Sequence, residues 1–303
     1  MLHLHNRQLV AQIVAVFWFL AILAESASAG TTAMEQLAAF SDKQFHELEN
    51  KARHGDATAA VVLGIAYEEG IHVQKDETEA VRWFERAAAA GNAEVAHHLG
   101  ILYETGRLVP QNYTEAAEWY RKAAALGFAP SQCNLGNFYR KGLGVPRDFD
   151  QAAKWYEVAA RGGDAQSQSN LGYMYNRGEG VVHDDQQAVY WYRKAAEQGY
   201  AMAQRNLGVM YVLGQGVAAD EAEAMRWFEK AARQGLAKAF VNEAILYMEG
   251  TSTPRDYALA FKLLQQATAA GEDAAKPLLE KCRRYVRNAP AITVEAVSSN
   301  KPN

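Results

Sequence analysis

Leu171-Gly172-Tyr173-Met174-Tyr175-Asn176-Arg177-Gly178-Glu179-Gly180-Val181, followed by Asp184 and then by Trp191-Tyr192-Arg193-Lys194-Ala195-Ala196, reads as two helices joined by a glycine turn. Ala165, Gln168, Leu171, Gly172 and Tyr175 fall at the three- and four-residue spacing of one helix face. Gly178 suits a left-handed helix end. Asp184 opens a second helix carrying Ala188, Trp191, Tyr192, Ala195 and Ala196, and Gly199 closes it. Moving outward from this stretch, the same word returns in both directions. Glycines stand at Gly55, Gly91, Gly127, Gly163, Gly199, Gly235 and Gly271, a period of 36 residues. A period of that size means an array of stacked units. In such an array each residue meets only its own repeat and the two neighbours.

The columns of the repeat have physical readings. The second helix begins at Asp76, Asn112, Asp148, Asp184, Asp220 and Asp256, followed three residues later by Glu79, Glu115, Gln151, Gln187 and Glu223, with Leu259 out of pattern. This spacing predicts a capping box, with Asp or Asn in the place more often held by Ser or Thr. Gly64, Gly100, Gly136, Gly172 and Gly208 lie inside the first helix, where Gly costs roughly 1 kcal/mol relative to Ala. A cost taken five times implies close helix approach. The pairs Trp83-Phe84, Trp119-Tyr120, Trp155-Tyr156, Trp191-Tyr192 and Trp227-Phe228 are read as its core partners. The last unit decays, with Glu243-Ala244 for Leu-Gly and Leu263-Leu264 for the aromatic pair.

Leu-Gly-x-x-Tyr, Gly-x-Gly-Val, Asp and Trp-Tyr-x-x-Ala-Ala at this period strongly resemble the Sel-1-like repeat family, a relative of tetratricopeptide repeats. The resemblance implies an all-α fold: a right-handed α-solenoid of six 36-residue helix-turn-helix repeats over residues 55–271. Capping helices are expected at residues 30–54 and 272–287, and a disordered tail at 288–303. It also implies an adaptor or scaffold for other proteins, often exported in bacteria. One branch of the family carries a disulfide per repeat and is connected with β-lactams; this chain lacks those cysteines.

Residues 1–29 form their own segment. Val10 to Ala24 is apolar except for Gln12, and Ala27-Ser28-Ala29 fits a signal peptidase site, predicting cleavage between Ala29 and Gly30 and a periplasmic or secreted protein. No stable membrane insertion is expected after cleavage. The net charge of −4 over 303 residues disfavours nucleic-acid binding, which needs a dense cationic surface. Cys133 and Cys282 lie about four repeats apart, beyond disulfide reach, and Cys282 is left as a candidate for pairing between molecules.

No catalytic motif emerges, and no cofactor is implied. Gly142-Leu143-Gly144 follows a helix rather than a strand, which fits a turn and not a phosphate loop. His97 and His98 point about 100° apart on a helix, a poor metal pair. His97 and Cys133 are neighbours in the stack but lack an orienting third group.

The informative columns are those that vary. By analogy with tetratricopeptide arrays the first helix lines a concave face. The candidate partner-binding residues there are acidic early (Glu68, Glu69, Glu104), basic in the middle (Arg140, Lys141, Arg177, Arg205) and apolar late (Val209, Val212, Leu213, Met248). Asn134, Asn170 and Asn206 stand beside them, with amides suited to a peptide backbone. The expected function is an exported, non-enzymatic adaptor for a protein or peptide partner. An envelope enzyme or drug-binding protein, and a polysaccharide-binding subunit, are the alternatives.

Overall fold

A computed structural model describes residues 33–251 and 254–288. The expected signal segment and residues 289–303 of the expected tail lie outside the described residues. Among the described residues the chain is all helical. The helices are α1 (Ala33–Ala38), α2 (Asp42–Arg53), α3 (Ala57–Glu69), α4 (Glu77–Ala89), α5 (Ala93–Thr105), α6 (Tyr113–Ala125), α7 (Ala129–Lys141) and α8 (Phe149–Arg161). They continue with α9 (Ala165–Arg177), α10 (Asp185–Glu197), α11 (Ala201–Leu213), α12 (Glu221–Arg233), α13 (Ala237–Glu249), α14 (Tyr257–Ala269) and α15 (Ala275–Asn288). From α3 to α14 the odd helices are first helices of repeats and the even ones second helices. Within each of the chain's two compact units, consecutive helices pack as in an α-solenoid. The N-terminal segment, expected as one capping helix, is two: Phe40 and Ser41 interrupt it, and Ser41 caps α2 in a reciprocal pair with Gln44.

The described residues form two compact units. One holds the chain up to Ser167 together with Glu179–Val181; the other holds Gln168–Gly178 and the residues from Val182 on. The first is built on a core running from Leu37 and Phe45 through Leu63, Phe84 and Leu99. Tyr120, Leu135 and Phe138 form a further cluster. The second has clusters around Met225, Phe228 and Leu246, and around Leu264 and Cys282.

The cap column forms as expected at one of its two ends. Each of Asp76, Asn112, Asp148, Asp184, Asp220 and Asp256 accepts from a backbone N–H in the first turn of its helix. The reciprocal half of the capping box is replaced. The cap residue's own N–H already donates to the carbonyl of the repeated tyrosine nine residues earlier, as in Asp148 N to Tyr139 O at 2.9 Å and Asp220 N to Tyr211 O at 3.0 Å. That bond ties the two helices of a repeat together and leaves Glu or Gln at the third helical position nothing to reach back for.

The second turn glycine also has a structural cause. His72, Leu108, Gly144, Gly180 and Gly216 form one column, and all five have positive φ, from 61° to 66°. In the first two repeats non-glycine residues occupy the left-handed region, at a cost of roughly 1–2 kcal/mol each. His72 is tied down by a 2.9 Å bond between Nε2 and the Leu37 carbonyl, and its ring stacks on Phe45.

Candidate partner-binding site

The second-helix aromatics do more than fill the core. Tyr120 and Tyr156 are fully buried, and their hydroxyls emerge beneath polar side chains of the first helices. Tyr120 donates to the Glu104 carboxylate, and the Asn134 amide bonds the same hydroxyl. Tyr156 donates to Asn137 Oδ1 at 2.8 Å and takes a hydrogen bond from Arg140. The Tyr192 hydroxyl is bonded by Asn206. Burial holds all three phenols well above their ordinary pKa, so they stay protonated.

Phenylalanine replaces tyrosine at Phe84 and Phe228, and the slot fourteen residues on responds. After Phe84 it is His98 rather than Asn; its ring meets Phe84 edge-on at 5.4 Å, and burial lowers its pKa to about 4. After Phe228 it is Asn242, whose carbonyl instead accepts from Arg205 Nε at 3.0 Å. Sequence reading treated the aromatic column as packing alone. The Phe/Tyr alternation within it was the missed signal.

In the second unit a cavity of about 510 Å³ brings five of the expected residues together: Arg177, Arg205, Asn206, Val209 and Leu213. Tyr173, Asn176, His183, Tyr192, Met210 and Gln215 complete its lining. Arg205 is half-buried and held in place, with Nε on Asn242 and one terminal nitrogen 3.2 Å from Asn206 Oδ1. Desolvation lowers its pKa from the ordinary guanidinium value, while Tyr192 and Glu272 oppose that shift. Asn176 donates to Asp185 Oδ1 at 2.8 Å, and His183 Nδ1 lies 3.0 Å from the Asn176 carbonyl.

Other expected residues fall elsewhere. Met248 is buried against Leu263 and Leu264 and cannot serve as an exposed anchor. The decayed last repeat has leucines where the others have an aromatic pair, and Met248 fills the space. Glu68 is also buried, with its carboxylate paired to Arg107. Val212 is half-buried beside the Met225–Phe228 cluster. Glu69 and Lys141 are exposed in the first unit, whereas Glu104, Asn134 and Arg140 are half-buried over the tyrosine hydroxyls. Asn170 is half-buried in the second unit. In the column of Arg205, one turn earlier on each first helix, Val61, Cys133 and Ser169 are buried while His97, Arg205 and Val241 are half-buried.

The remaining chemistry is sparse. His97 Nδ1 lies 2.8 Å from Ser131 Oγ, and its ring packs against Tyr120 and Phe128. Ser131 and Cys133 are both buried. Cys282, a candidate for pairing between molecules, is fully buried, and neither cysteine is in a disulfide. Among the described residues no group of three or more His, Cys, Asp or Glu side chains is placed to hold a metal, and no helix is long and apolar enough to cross a membrane.

Comparison with known proteins matches this geometry. The Sel1 repeat model fits residues 57–92, 93–128, 129–164, 165–200, 201–236 and 244–272. The chain is 36% identical, with a TM-score of 0.72, to a protective antigen of uropathogenic Escherichia coli strains that displays an SLR fold. That match covers 80% of this chain but only 52% of the antigen, so the chain spans about half of its length. It is also similar to a Sel1 repeat protein from Oxalobacter formigenes, at 27% identity and a TM-score of 0.62, covering 74% of this chain and 94% of that one. No curated protein matches. The six matched repeats, and the packing that makes each of them necessary, place the chain in the Sel1 repeat family.

Proposed function

We propose that this protein is an exported, non-enzymatic adaptor that captures a partner protein on its first-helix face. Sel1 repeat proteins are in general protein-interaction scaffolds. The observation that carries the reading is the cavity of the second unit. It collects side chains from the columns that vary between repeats, while the invariant columns are consumed by folding. A residue whose identity changes from repeat to repeat, and which the packing does not dictate, is free to be chosen by a partner. Export rests on residues 1–29: an apolar stretch with one cation before it and Ala27-Ser28-Ala29 after it.

Cross-linking followed by affinity purification of the tagged protein from its own cells tests both parts. The expected result is one partner at fixed ratio, and a protein whose N-terminus is Gly30. A protein that retains Met1 in the cytoplasm would refute export. Turnover of a β-lactam or another small substrate by the purified protein would favour the enzyme alternative.

A further inference from the structure

We propose that the cavity of the second unit is a carboxylate site: it takes an Asp or Glu side chain from an extended segment of a partner protein, seats an aliphatic side chain of that segment on Val209 and Leu213, and relies on Tyr192 to position its cation. The inference rests on the adaptor reading above and narrows it to a recognition chemistry.

The charge pattern is the first observation. Arg82, Arg107, Arg121, Arg161, Arg226, Arg233 and Arg283 each pair with a carboxylate of this chain. Among the described residues no carboxylate pairs with Arg177 or Arg205, nor with Arg53, Arg86, Arg140, Arg147, Arg193, Arg255 or Arg284; Arg177 and Arg205 are set apart by lining one cavity whose wall contains no acidic residue. Asp185, close by, is occupied by Asn176 and His183. A chain of net charge −4 thus keeps two guanidiniums in one cavity with no carboxylate in ion-pair contact; Glu272 acts on Arg205 only from outside the cavity wall.

Preorganisation is the second. A guanidinium has five N–H donors. Asn242 and Asn206 fix Arg205 through two of them, and the rest are left to serve a bound anion. Asn206 is in turn held by the buried Tyr192 hydroxyl, so the phenol orients the amide and the amide orients the cation. A carboxylate arriving there makes charge-assisted bonds to a donor that has already been ordered.

Spacing supplies the third. Arg205, Val209 and Leu213 lie on one face of α11 at successive four-residue steps, about 6 Å apart along the axis. Alternate side chains of an extended peptide are about 6.6 Å apart. An acidic residue over Arg205 therefore places the residue two positions away over Val209. The recognised pattern is acidic-x-aliphatic.

Fluorescence polarisation on the purified protein tests this with a dye-labelled, C-terminally amidated peptide containing Ser-Glu-Ser-Leu-Ser. Matched peptides carry Gln for Glu, Ser for Leu, or a Gln with a free carboxyl terminus. The Glu peptide is expected to bind about tenfold or more tightly than the Gln and Ser peptides. Arg177→Ser should weaken it about tenfold with melting temperature unchanged, and Tyr192→Phe about fivefold with a melting temperature a few degrees lower and the fold retained. Phenylalanine already fills the equivalent slot at Phe84 and Phe228, so the fold accepts it. Residual binding of the Gln peptide should be the same in Tyr192→Phe and wild type, which a purely structural loss would not produce. Equal binding of the Glu and Gln peptides, or no binding of either, overturns the carboxylate site. Tight binding of the Gln peptide only when its carboxyl terminus is free overturns the side-chain assignment in favour of chain termini. If the peptides fail while a cross-linked partner is still recovered from cells, this inference falls and the adaptor reading stands; if no partner is recovered either, both fall.

Discussion

Gly136 and Tyr156 occupy complementary space: a β-carbon on Gly136 would stand 2.6 Å from Cε1 of the Tyr156 ring. The same fit recurs at Gly64 with Phe84, Gly100 with Tyr120, Gly172 with Tyr192 and Gly208 with Phe228. In the sixth repeat the glycine becomes Ala244 and the ring becomes Leu264, both fully buried. The chain therefore contains its own compensated variant of the contact. Gly136→Ala should destabilise by about 2 kcal/mol through overpacking. Adding Tyr156→Leu should recover part of that loss, giving a favourable coupling of about 1 kcal/mol in urea denaturation. Strict additivity would show that the two positions are not matched.

The cap column predicts an unequal pair of losses. Asp148 accepts from the Gln151 N–H at 2.9 Å, so Asp148→Ala should cost about 1 kcal/mol. Gln151→Ala should change stability by at most a few tenths, because the Asp148 N–H is already bound to Tyr139. Equal losses at the two positions would restore the capping box.

Leu108 holds a φ of 64°, a region that suits glycine. Leu108→Gly should raise stability by up to about 1 kcal/mol, the strain relieved minus the half-buried side chain lost. Thermal melting checks the sign. A loss of more than about 1 kcal/mol would mean that the side chain's contacts outweigh the backbone strain.

Glu243 occupies the slot filled by a buried leucine in each preceding repeat, and its Oε1 has no hydrogen-bond partner. Burial, reinforced by Glu229 and opposed by Arg233, raises its pKa to about 7. A folded-state value above the ordinary 4.5 means that the proton is held more tightly in the folded chain. Stability from this group is complete below pH 4.5, falls as pH rises through about 7, and is flat above that. Glu243→Gln should remove this slope and be more stable than wild type at pH 8 by on the order of 2 kcal/mol. Parallel pH profiles for the two proteins would disprove the assignment.

The period made the helix pairs, turns and caps legible, because each helix begins and ends at a residue with a local backbone role. Gly136 was legible as a close approach for the same reason. Exposure was harder to read. Met248 and Glu68 share one column with the half-buried Glu104, Arg140, Asn176 and Val212, yet one is buried because its own repeat lost the aromatic pair and the other because Arg107 reaches it from the next repeat. Column logic assumes that every repeat has the same neighbours, and at the ends of an array that fails. The tyrosine hydroxyls were hidden for a different reason. Phe and Tyr are interchangeable as packing volume, and only the polar residues above them show why three of the five are Tyr.

The central claim is that repeated columns serve the fold while variable ones serve a partner. The most direct measurement compares Lys141→Glu/Arg177→Glu with Gly136→Ala, recording both the melting temperature and the amount of cross-linked partner recovered from cells. The charge reversal should abolish recovery and leave melting unchanged within about 1 °C, since exposed side chains contribute within about 0.5 kcal/mol. Gly136→Ala should lower melting by several degrees, on the order of the overpacking cost, and still recover partner below its transition. Undiminished recovery with the charge-reversed protein would contradict the claim.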